Sequence, residues 1–509
     1  MTNRGRQRTE NAAGVFDAIA DALAAGAELI GNLLADVERL AADASRDART
    51  VASEASDLWD ALALRAEELS LAVRGAPRFA RVAAELLRVV AAYRWHAATG
   101  DWIGDPDAGA LAALHERSAE RLYALCVELR GGVLKLGQFA SSRMDLLPDA
   151  YVAALSRLQD RVPPTAFDAI LERLADELEG DLGARFARLD PEPLAAASLA
   201  QVHAAALADG TQVAVKIQLP AIEQLVEVDL TALRMVVPAL RDLLPFIDLD
   251  TFAAELSRAV RAELDYRAEA TNAAAFAAAF AGDDDVVVPR VYEEHSARRV
   301  LVLEHLGGAR LTDYLDTCAT RGDDGIRDRD RLFAILIRCF CAQVLEHGLL
   351  HADPHPGNFL VIDGADGPRL ALLDFGCVQA YPAERRRAYA GLCVAVLAGD
   401  TARMAELFAA MGFATRDGDD AALRAFADLL LEAFRADTDQ PLATIEPREA
   451  LERILRLTRD NPIVAVPPDF VLLGRVFATL GGLLMRYRPQ VNLFQILLPF
   501  VVRATDGGM

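Results

Sequence analysis

Several features are absent from this chain, and each absence excludes a class of protein. None of the six cysteines belongs to a CxxC pair and no histidine cluster has zinc spacing, so buried free thiols in a reducing cytoplasm are expected instead. No uncharged apolar run reaches the roughly 18 residues that a membrane-spanning helix needs. Basic residues number 53 against 75 acidic ones, and this net charge of −22 disfavours nonspecific binding of nucleic acid.

The remaining composition is that of a globular, largely helical protein. Hydrophobic residues make up 53% of the 509 residues, aromatic residues only 6%, and abundant alanine favours helix. The first apolar stretch, which includes a helical stripe from Phe16 to Leu40, is interrupted by Asp17, Asp21 and Glu28, so it is not the core of a signal peptide. We therefore expect a cytoplasmic protein without a transmembrane helix, in contact with the inner membrane surface at most peripherally.

The order of strand-like and helical patterns predicts an α+β fold of two lobes. Strand-like runs occur at Thr211–Gln218, Asp285–Tyr292 and Arg299–Glu304 around a helical stretch from about Leu225 to Phe280, which is the pattern of a kinase small lobe. Beyond the charged loop predicted at 322–331, helices dominate, with one short strand at 370–373. The predicted segments are a helical extension (1–115), a helical segment (116–190), a small lobe (191–305), a catalytic core (306–400) and C-terminal helices (401–509).

A helix that begins near Pro77 carries arginines on one face. Spacings of three and seven place Arg78, Arg81 and Arg88 together, beside apolar residues that fill much of the remaining surface. Such a helix can lie on an anionic membrane, or its arginines can form a solvated face. Peripheral membrane contact is therefore one expectation, and pairing of alanine-rich helices into a homodimer is another.

The strongest functional signal is HADPHPGN at His351–Asn358 followed by LLDFG at 372–376. Asp353 precedes Asn358 by five residues, as in a kinase catalytic loop, and Asp374 follows 16 residues later. Asp353 can orient an attacking hydroxyl or water or accept its proton, whereas Asn358 and Asp374 offer hard oxygens to Mg²⁺. Either motif alone often arises by chance, but both in this order indicate an ATP site with magnesium.

Two further elements upstream match a phosphate-binding site. An alternating strand, VAVK, ends in Lys216, in the place of the lysine that contacts the α- and β-phosphates. A helical stretch offers Glu263, Asp265 and Glu269 as acidic partners; since Glu263 and Glu269 lie six residues apart, they do not share one face. They can also be ordinary charges on a solvated helix.

Where kinases have a glycine-rich loop, this chain has alanines. Ala195, Ala196 and Ala197 precede Ser198, and alanine restricts the positive φ angles that glycine allows. We expect these four residues to contact the nucleotide, and to bind its phosphates differently from the loop of ordinary protein kinases. Glu304, which ends the RVLVLE strand, is a further candidate for nucleotide binding.

These motifs together resemble the UbiB/AarF family of atypical kinases, also called ADCK kinases. The resemblance covers about 116–400 and includes KLGQ at Lys135–Gln138, the segment at 141–164, the alanine loop, VAVK, the E-x-D of Glu263 and Asp265, HADPHPGN and DFG. It departs from the family at Leu219, often arginine, and at Ala221, often glycine. Many bacterial members also end in transmembrane helices, for which this chain shows no pattern.

The resemblance implies roles for particular residues. Lys216 would pair with Glu269, while Lys135 and Gln138 would lie on a helical lid over the site, with Lys135 near Glu263. A lid of this kind would occupy the space of a protein substrate. The family is accordingly associated with ATP hydrolysis or phosphorylation of a small lipid-like molecule, and with isoprenoid quinone, especially ubiquinone, biosynthesis. A nucleotide-binding scaffold without phosphotransfer remains the alternative, and a kinase acting on proteins is a third.

A single substitution tests the alanine loop. Ala196→Gly is expected to change the preference between ATP and ADP, because added backbone freedom lets the loop form differently around the phosphates. Calorimetric titration of each nucleotide into both proteins measures this preference. Unchanged affinities for ATP and ADP would contradict the prediction.

Overall fold

The structure, a computed structural model, describes residues 76–103, 108–141, 147–158, 163–241, 249–418, 420–435 and 463–505. The apolar stripe predicted from Phe16 to Leu40 lies outside these residues. The chain divides into two compact units: the first comprises 1–211, 215–265 and 297–300, and the second 212–214, 266–296 and 301–509. Within the described ranges, no helix is both long and apolar enough to span a membrane.

The first unit is mainly helical and carries most of one sheet. Its helices are α1 (Ala76–Ile103), α2 (Ala108–Leu129), α3 (Gly131–Ser141), α4 (Asp149–Leu155), α5 (Phe167–Glu177), α6 (Leu182–Arg185), α7 (Ile222–Arg241) and α8 (Leu249–Ala262). Strands β1 (Phe186–Ala196) and β2 (Ala200–Leu207) pair antiparallel. The sheet has the order β1, β2, β3 (Gln212–Gln218) and β5 (Val300–Glu304).

The predicted arginine-bearing helix is present as α1, whose described residues run from Ala76 to Ile103. Its arginines contact carboxylates of the same unit. Arg78, with 11% of its side chain exposed, binds the fully buried Asp229 at 2.7 Å, while Arg81 and Arg88 bind Glu85 at 2.9 and 2.8 Å. These pairs engage the three guanidinium groups within the unit. Peripheral membrane contact and a homodimer both stay predictions.

The second unit combines helices with short strands. The helices are α9 (Tyr266–Ala279), α10 (Leu311–Cys318), α11 (Gly322–Ala342), α12 (Ala383–Ala398), α13 (Thr401–Met411), α14 (Ala421–Arg435), α15 (Pro468–Tyr487) and α16 (Leu493–Thr505). Beyond β5, the strands are β4 (Val286–Val287), β6 (Ala309–Arg310), β7 (Leu349–His351), β8 (Phe359–Gly364), β9 (Gly367–Leu372), β10 (Val378–Ala380), β11 (Ala414–Thr415) and β12 (Ile463–Ala465). One sheet has the order β4, β9, β8, β6, and β7–β10 and β11–β12 form separate pairs.

The helical stretch predicted from about Leu225 to Phe280 is confirmed and lies in α7, α8 and α9. The structure corrects three other predictions of secondary structure. The charged segment 322–331 is the first half of α11, where Asp323 and Asp324 in the first turn favour the helix N-terminus. A strand at Phe186 begins within the predicted helical segment 116–190, and several short strands follow Leu332 instead of one.

A single apolar core holds the second unit together. Phenylalanines that are fully buried or nearly so lie on α9, α11, α13 and β8 and directly after β9, namely Phe276, Phe333, Phe408, Phe359 and Phe375. Burial of such rings contributes about 1.5–3 kcal/mol each. The loops at the ends of β7, β8 and β9 are therefore anchored on a closely packed base.

Ala221, where the family often has glycine, adopts a left-handed backbone with a φ of 58°. The residue lies in the turn directly before α7 and is exposed. A Cβ atom in this conformation costs roughly 1–2 kcal/mol, a cost that glycine avoids. The alanine at position 221 therefore introduces local strain into the turn, which glycine would avoid.

We expect Ala221→Gly to raise the free energy of unfolding by about 1 kcal/mol, because it removes this strain. The matched control is Ala175→Gly, at an exposed position within α5, which should lower the free energy of unfolding by about 1 kcal/mol. Urea denaturation measures both. A destabilising effect of the same size at both positions would contradict the assignment of strain.

Candidate functional site

Strand pairing brings the two predicted catalytic segments together in the second unit. His351 at the end of β7 lies opposite Val378 of β10, and the amide of Ala352 donates to the carbonyl of Cys377 at 2.9 Å. On the other side, the amide of Leu373 donates to the carbonyl of Asn358 at 2.8 Å. The HADPHPGN loop and the DFG segment are thus hydrogen-bonded to each other at both ends.

The side chain of His351 forms a third connection. It is fully buried, and its Nε2 lies 2.9 Å from the carbonyl oxygen of Leu373, to which it donates. Its backbone amide donates to Oε1 of the buried Gln343 at 2.8 Å. With the proton on Nε2, Nδ1 can accept from the amide of Asp353 at 3.4 Å, so the ring orders both segments.

Within the HADPHPGN loop, Asn358 holds Asp353 in place. Nδ2 of Asn358 donates to the carbonyl oxygen of Asp353 at 3.0 Å and to its Oδ2 at 3.1 Å. The turn between them is ordered by His355, whose Nδ1 accepts from the amide of Gly357 at 3.1 Å. Because both donated bonds use the amide nitrogen of Asn358, its Oδ1 stays available as an acceptor.

Asp374 has a backbone conformation that is rare for a residue with a Cβ atom. Its φ is 57°, its side chain is exposed, and its Oδ1 accepts from the amide of Gly376 at 3.1 Å. Strain of this kind costs about 1–3 kcal/mol and is retained where the surrounding structure enforces it, typically at functional sites. The carboxylate is thereby directed away from the core.

The packing of Phe375 stabilises this backbone conformation of Asp374. Its ring is fully buried, and its centroid lies 5.1 Å from that of Phe276 on α9 and 5.7 Å from that of His351. Asn272 on α9 also donates to the carbonyl oxygen of Phe375 at 2.9 Å. The DFG segment is therefore fixed to α9 by packing and by a hydrogen bond.

Glu269 lies on the same helix and close to the DFG segment. It is buried with 4% exposure, and a Cβ atom placed on Gly376 would lie 3.9 Å from its Oε2. The same Cβ would lie 3.2 Å from Oδ1 of Asp374. Gly376 therefore permits two carboxylates to approach the turn that follows the DFG motif.

In the first unit, the KxGQ motif on α3 contacts the E-x-D motif. Nζ of Lys135 lies 3.0 Å from Oε2 of Glu263, with side-chain exposures of 19% and 21%, so the expected contact is present. Gln138 donates weakly to the carbonyl of Leu158 at 3.5 Å. Asp265 lies in the break between α8 and α9, with its amide donating to Ala262 at 3.3 Å. The catalytic roles of Lys135, Gln138, Glu263 and Asp265 stay predictions.

The glycine within KxGQ, Gly137, allows α3 to pack closely against its neighbours. A Cβ atom on Gly137 would lie 2.6 Å from Cδ1 of Leu158 and 2.8 Å from Sγ of Cys126. Leu136 and Phe139 on the same helix pack against the apolar cluster that includes Leu264. Without the glycine, α3 would have to move away from its neighbours, and Lys135 with it.

The alanine loop is a tight turn between β1 and β2. The amide of Ala197 donates to the carbonyl of Ala200 at 2.8 Å, and Ser198 is buried. None of the four residues 195–198 has a positive φ, so alanine fits this turn without strain. Their contact with nucleotide stays a prediction.

Two further candidates lie on β3 and β5. Lys216 lies on β3, within the first unit, whereas its predicted partner Glu269 belongs to the second, and their ion pair stays a prediction. Glu304 is exposed, and its Oε2 accepts from the backbone amide of Arg290 at 3.2 Å. Its binding of nucleotide likewise stays a prediction.

Sequence reasoning missed three residues that support these motifs, namely Asn272, Gln343 and Gln218. Gln218 is fully buried, and its Nε2 donates to the carbonyl of Leu264 at the break within E-x-D at 2.8 Å. Asn272 follows Glu269 by three residues, a spacing that places both on one helical face and could have identified it. No local pattern marks Gln218, because its partner lies 46 positions away. Gln343 lies eight positions before His351, and no motif includes both residues.

A double-mutant cycle tests the contact between KxGQ and E-x-D. Lys135→Met and Glu263→Gln should show a coupling free energy of about 0.5–3 kcal/mol, since neighbouring, partly buried charges do not act independently. The control pair, Arg157 and Glu120, has exposures of 51% and 56% and should couple by about 0.2–1 kcal/mol. Urea denaturation of each set gives the values, and additive effects of the first pair would rule out the contact.

Comparison with known proteins agrees with this geometry. The ABC1 atypical kinase-like domain matches residues 157–408. A protein named ACTIVITY OF BC1 COMPLEX KINASE 8, chloroplastic, from Arabidopsis thaliana is 31% identical over 74% of this chain and 53% of its own. This chain thus spans about half the length of that plant relative. An uncharacterized protein of Synechocystis, slr1919, is 31% identical over 77% of this chain and 67% of its own.

A solved structure is similar as well. The complex of Rv3197 with erythromycin from Mycobacterium tuberculosis shares 26% identity and a TM-score of 0.54, covering 76% of this chain and 97% of that chain. The predicted kinase-like fold of mixed helix and sheet is therefore confirmed. With the HADPHPGN, DFG and KxGQ segments arranged as described, this chain belongs to the ABC1 family of atypical kinase-like proteins, also called UbiB, AarF or ADCK.

Proposed function

We propose that this protein binds ATP with Mg²⁺ and either hydrolyses it or transfers its γ-phosphoryl group to a small lipid-like molecule. The observation that carries the proposal is the joining of two loops by His351, which places the loop of Asp353 and Asn358 beside that of Asp374. In phosphoryl transfer the protein contributes mainly positioning and charge stabilisation. A buried, hydrogen-bonded support is suited to this task.

The oxygen atoms in these loops fit magnesium. Oδ1 of Asn358 is left as an acceptor by the bonds of its amide nitrogen, and the Asp374 carboxylate is exposed. Mg²⁺ prefers such hard oxygens and usually takes one or two carboxylates together with phosphate oxygens. Bound there with nucleotide, the ion would neutralise negative charge on the phosphates.

Asp353 is suited to act on the attacking group. Its Oδ2 accepts from Asn358, which fixes the plane of the carboxylate, and its second oxygen can accept a hydroxyl or water proton. Lys216, Glu269, Glu304 and the turn 195–198 complete the proposed nucleotide site. Of these, Lys216 would contact the phosphates and Glu269 would orient it.

The proposed substrate is small and apolar rather than a protein. The KxGQ segment, held by Lys135 and Glu263, is proposed to cover the site as a lid. The structurally similar mycobacterial protein was solved in complex with erythromycin, which supports binding of a small molecule rather than a protein. We extend the family resemblance to a role in isoprenoid quinone biosynthesis or lipid homeostasis, which makes a phenolic quinone precursor the first substrate to test.

A scaffold that binds nucleotide without turnover is the second candidate. The observation that favours it is the alanine turn, which lacks the left-handed backbone conformations that glycine-rich loops use to approach phosphate closely. Weaker binding of the γ-phosphate would favour retention of ADP or ATP over transfer of the phosphoryl group. Such a protein would report nucleotide levels to its partners.

Turnover measurements separate these functions. Wild-type protein should hydrolyse ATP in the presence of Mg²⁺, and Asp374→Asn should reduce the rate by about 100-fold, because a charged metal ligand stabilises the transition state by several kcal/mol. The control Asp366→Asn removes an exposed carboxylate in the turn between β8 and β9 and should leave the rate unchanged. Formation of ADP, which accompanies both hydrolysis and transfer, is the readout, with and without phenolic quinone precursors.

Two outcomes would change the proposal. Calorimetric binding of ATP or ADP without turnover under all of these conditions would favour the scaffold. Turnover that survives Asp374→Asn at the wild-type rate would exclude Asp374 as a metal ligand. The same measurement in the presence of a mixture of purified proteins, offered as substrates, tests the third candidate, a protein kinase.

A further inference from the structure

A cavity in the second unit lies apart from all the residues proposed to bind nucleotide. Its volume is about 670 Å³, which falls in the range of about 300–1,000 Å³ that is typical of small-molecule sites. Its walls are the segment following α9, the middle of α11, the turn at 343–347 and the C-terminal helix α16. Asp353, Asn358, Asp374 and Glu269 do not line it.

One part of the wall is apolar and rigid. Phe280, Ile335 and Phe500 line the cavity and belong to the core of the unit, with exposures of 5%, 3% and 4%. Ile496 and Pro499 on α16 extend this surface. A ligand that contacts this wall would bury apolar area against side chains that are already fixed by packing, so little conformational entropy would be lost.

The remaining part of the wall carries charges, and its carboxylates already have partners. Asp283 accepts from Nη2 of Arg338 at 3.0 Å, and Asp285 accepts from Arg338 at 3.0 Å and from Nη2 of Arg331 at 2.6 Å. Oε1 of Glu346 lies 2.5 Å from Nε of Arg503. Every carboxylate that lines the cavity is therefore engaged by at least one guanidinium group.

The guanidinium groups, in contrast, have donors to spare. Each carries five N–H groups, and Arg331 and Arg503 use few of them in the contacts with Asp285 and Glu346. The side chains of Arg331 and Arg503 are 38% and 53% exposed, so some of these donors are accessible to a ligand oxygen. Hydrogen bonds from a guanidinium group to an anionic oxygen are stronger than neutral ones. Because the carboxylates are already paired, this wall is better suited to an anion than to a further cation.

We propose that this cavity binds a small anionic amphiphile, with its apolar body against Phe280, Ile335 and Phe500 and its acidic group at Arg331 and Arg503. The acidic group supplies the oxygens that the guanidinium donors lack, and the apolar body covers the core side chains. Such a site is distinct from the proposed nucleotide site. Its occupation does not depend on ATP binding.

An anionic and a neutral probe with apolar chains of the same length test this assignment. Octanoate, below its micelle concentration, should bind the full-length wild-type chain with one-to-one stoichiometry in a calorimetric titration without nucleotide. Neutral 1-octanol, which has the same apolar chain, should bind about tenfold or more weakly, because hydrogen bonds to charged groups contribute about 1.5–3 kcal/mol. Saturable octanoate binding that is matched in affinity by 1-octanol would overturn the assignment of the acidic group.

Three variants locate the site. Arg331→Met keeps most of the side-chain volume and leaves Asp285 paired with Arg338, so it should fold and lose about tenfold in octanoate affinity while 1-octanol binding is unchanged. Ala334→Trp fills the cavity from α11 and should abolish binding of both probes. The control Ala278→Trp, at an exposed position beside the cavity-lining Ala279, should bind both as wild type does.

The outcomes are decisive in each direction. No binding of octanoate to wild type at millimolar concentration, or wild-type affinity in Ala334→Trp, would overturn the proposal. Circular dichroism melting curves verify that each variant is folded. Should Ala334→Trp unfold, Arg503→Met provides a second variant on a different helix, with the same expected loss of octanoate affinity.

Discussion

The hydrogen bond from Nε2 of His351 to the carbonyl of Leu373 is the contact on which the arrangement of the candidate site depends. The two segments it joins are short connections, between β7 and β8 and between β9 and β10, and each has an exposed residue at its tip. Loops of this kind are ordered only where their backbone groups find partners. A fully buried histidine, whose backbone amide donates to Gln343, gives them a common anchor, and buried polar networks of this type stabilise one arrangement over others.

The strained backbone of Asp374 follows from this anchor and from the packing of Phe375. A φ of 57° would not persist in an isolated loop, since the extended and right-handed conformations are lower in energy. The burial of Phe375 against Phe276 contributes about 1.5–3 kcal/mol, which is similar in size to the cost of the strain. Ala221, with a similar φ, has no such compensation on its exposed turn, which is why glycine should improve stability there.

The first unit shows how small residues position charged ones. Gly137 lets α3 approach Leu158 and Cys126, and this approach brings Lys135 within 3.0 Å of Glu263. The charge pair therefore depends on the absence of a methyl group at Gly137, two residues after Lys135 on the same helix. Close packing transmits such a change because protein interiors have few voids.

Much of the candidate site could be predicted from the sequence, because its chemistry resides in short motifs. HADPHPGN, DFG, VAVK and KxGQ carry spacing that local chain geometry preserves. The amino-acid order alone thus determined the family, the mixed helical and sheet fold, and the identity of the candidate residues. It did not determine the short strands or the break within E-x-D, since two- and three-residue strands exist only through pairing with distant partners.

Only the tertiary structure decided which supporting residues complete the site. Gln218 and the cavity beside α16 involve groups that lie far apart in the chain, and no local pattern marks them. Likewise, the arginines of α1 have a spacing that suits a membrane surface, yet Arg78 contacts a buried aspartate 151 positions away. Local spacing specifies which face a side chain occupies, but the partner of that face depends on how distant segments pack, which is a property of the whole fold.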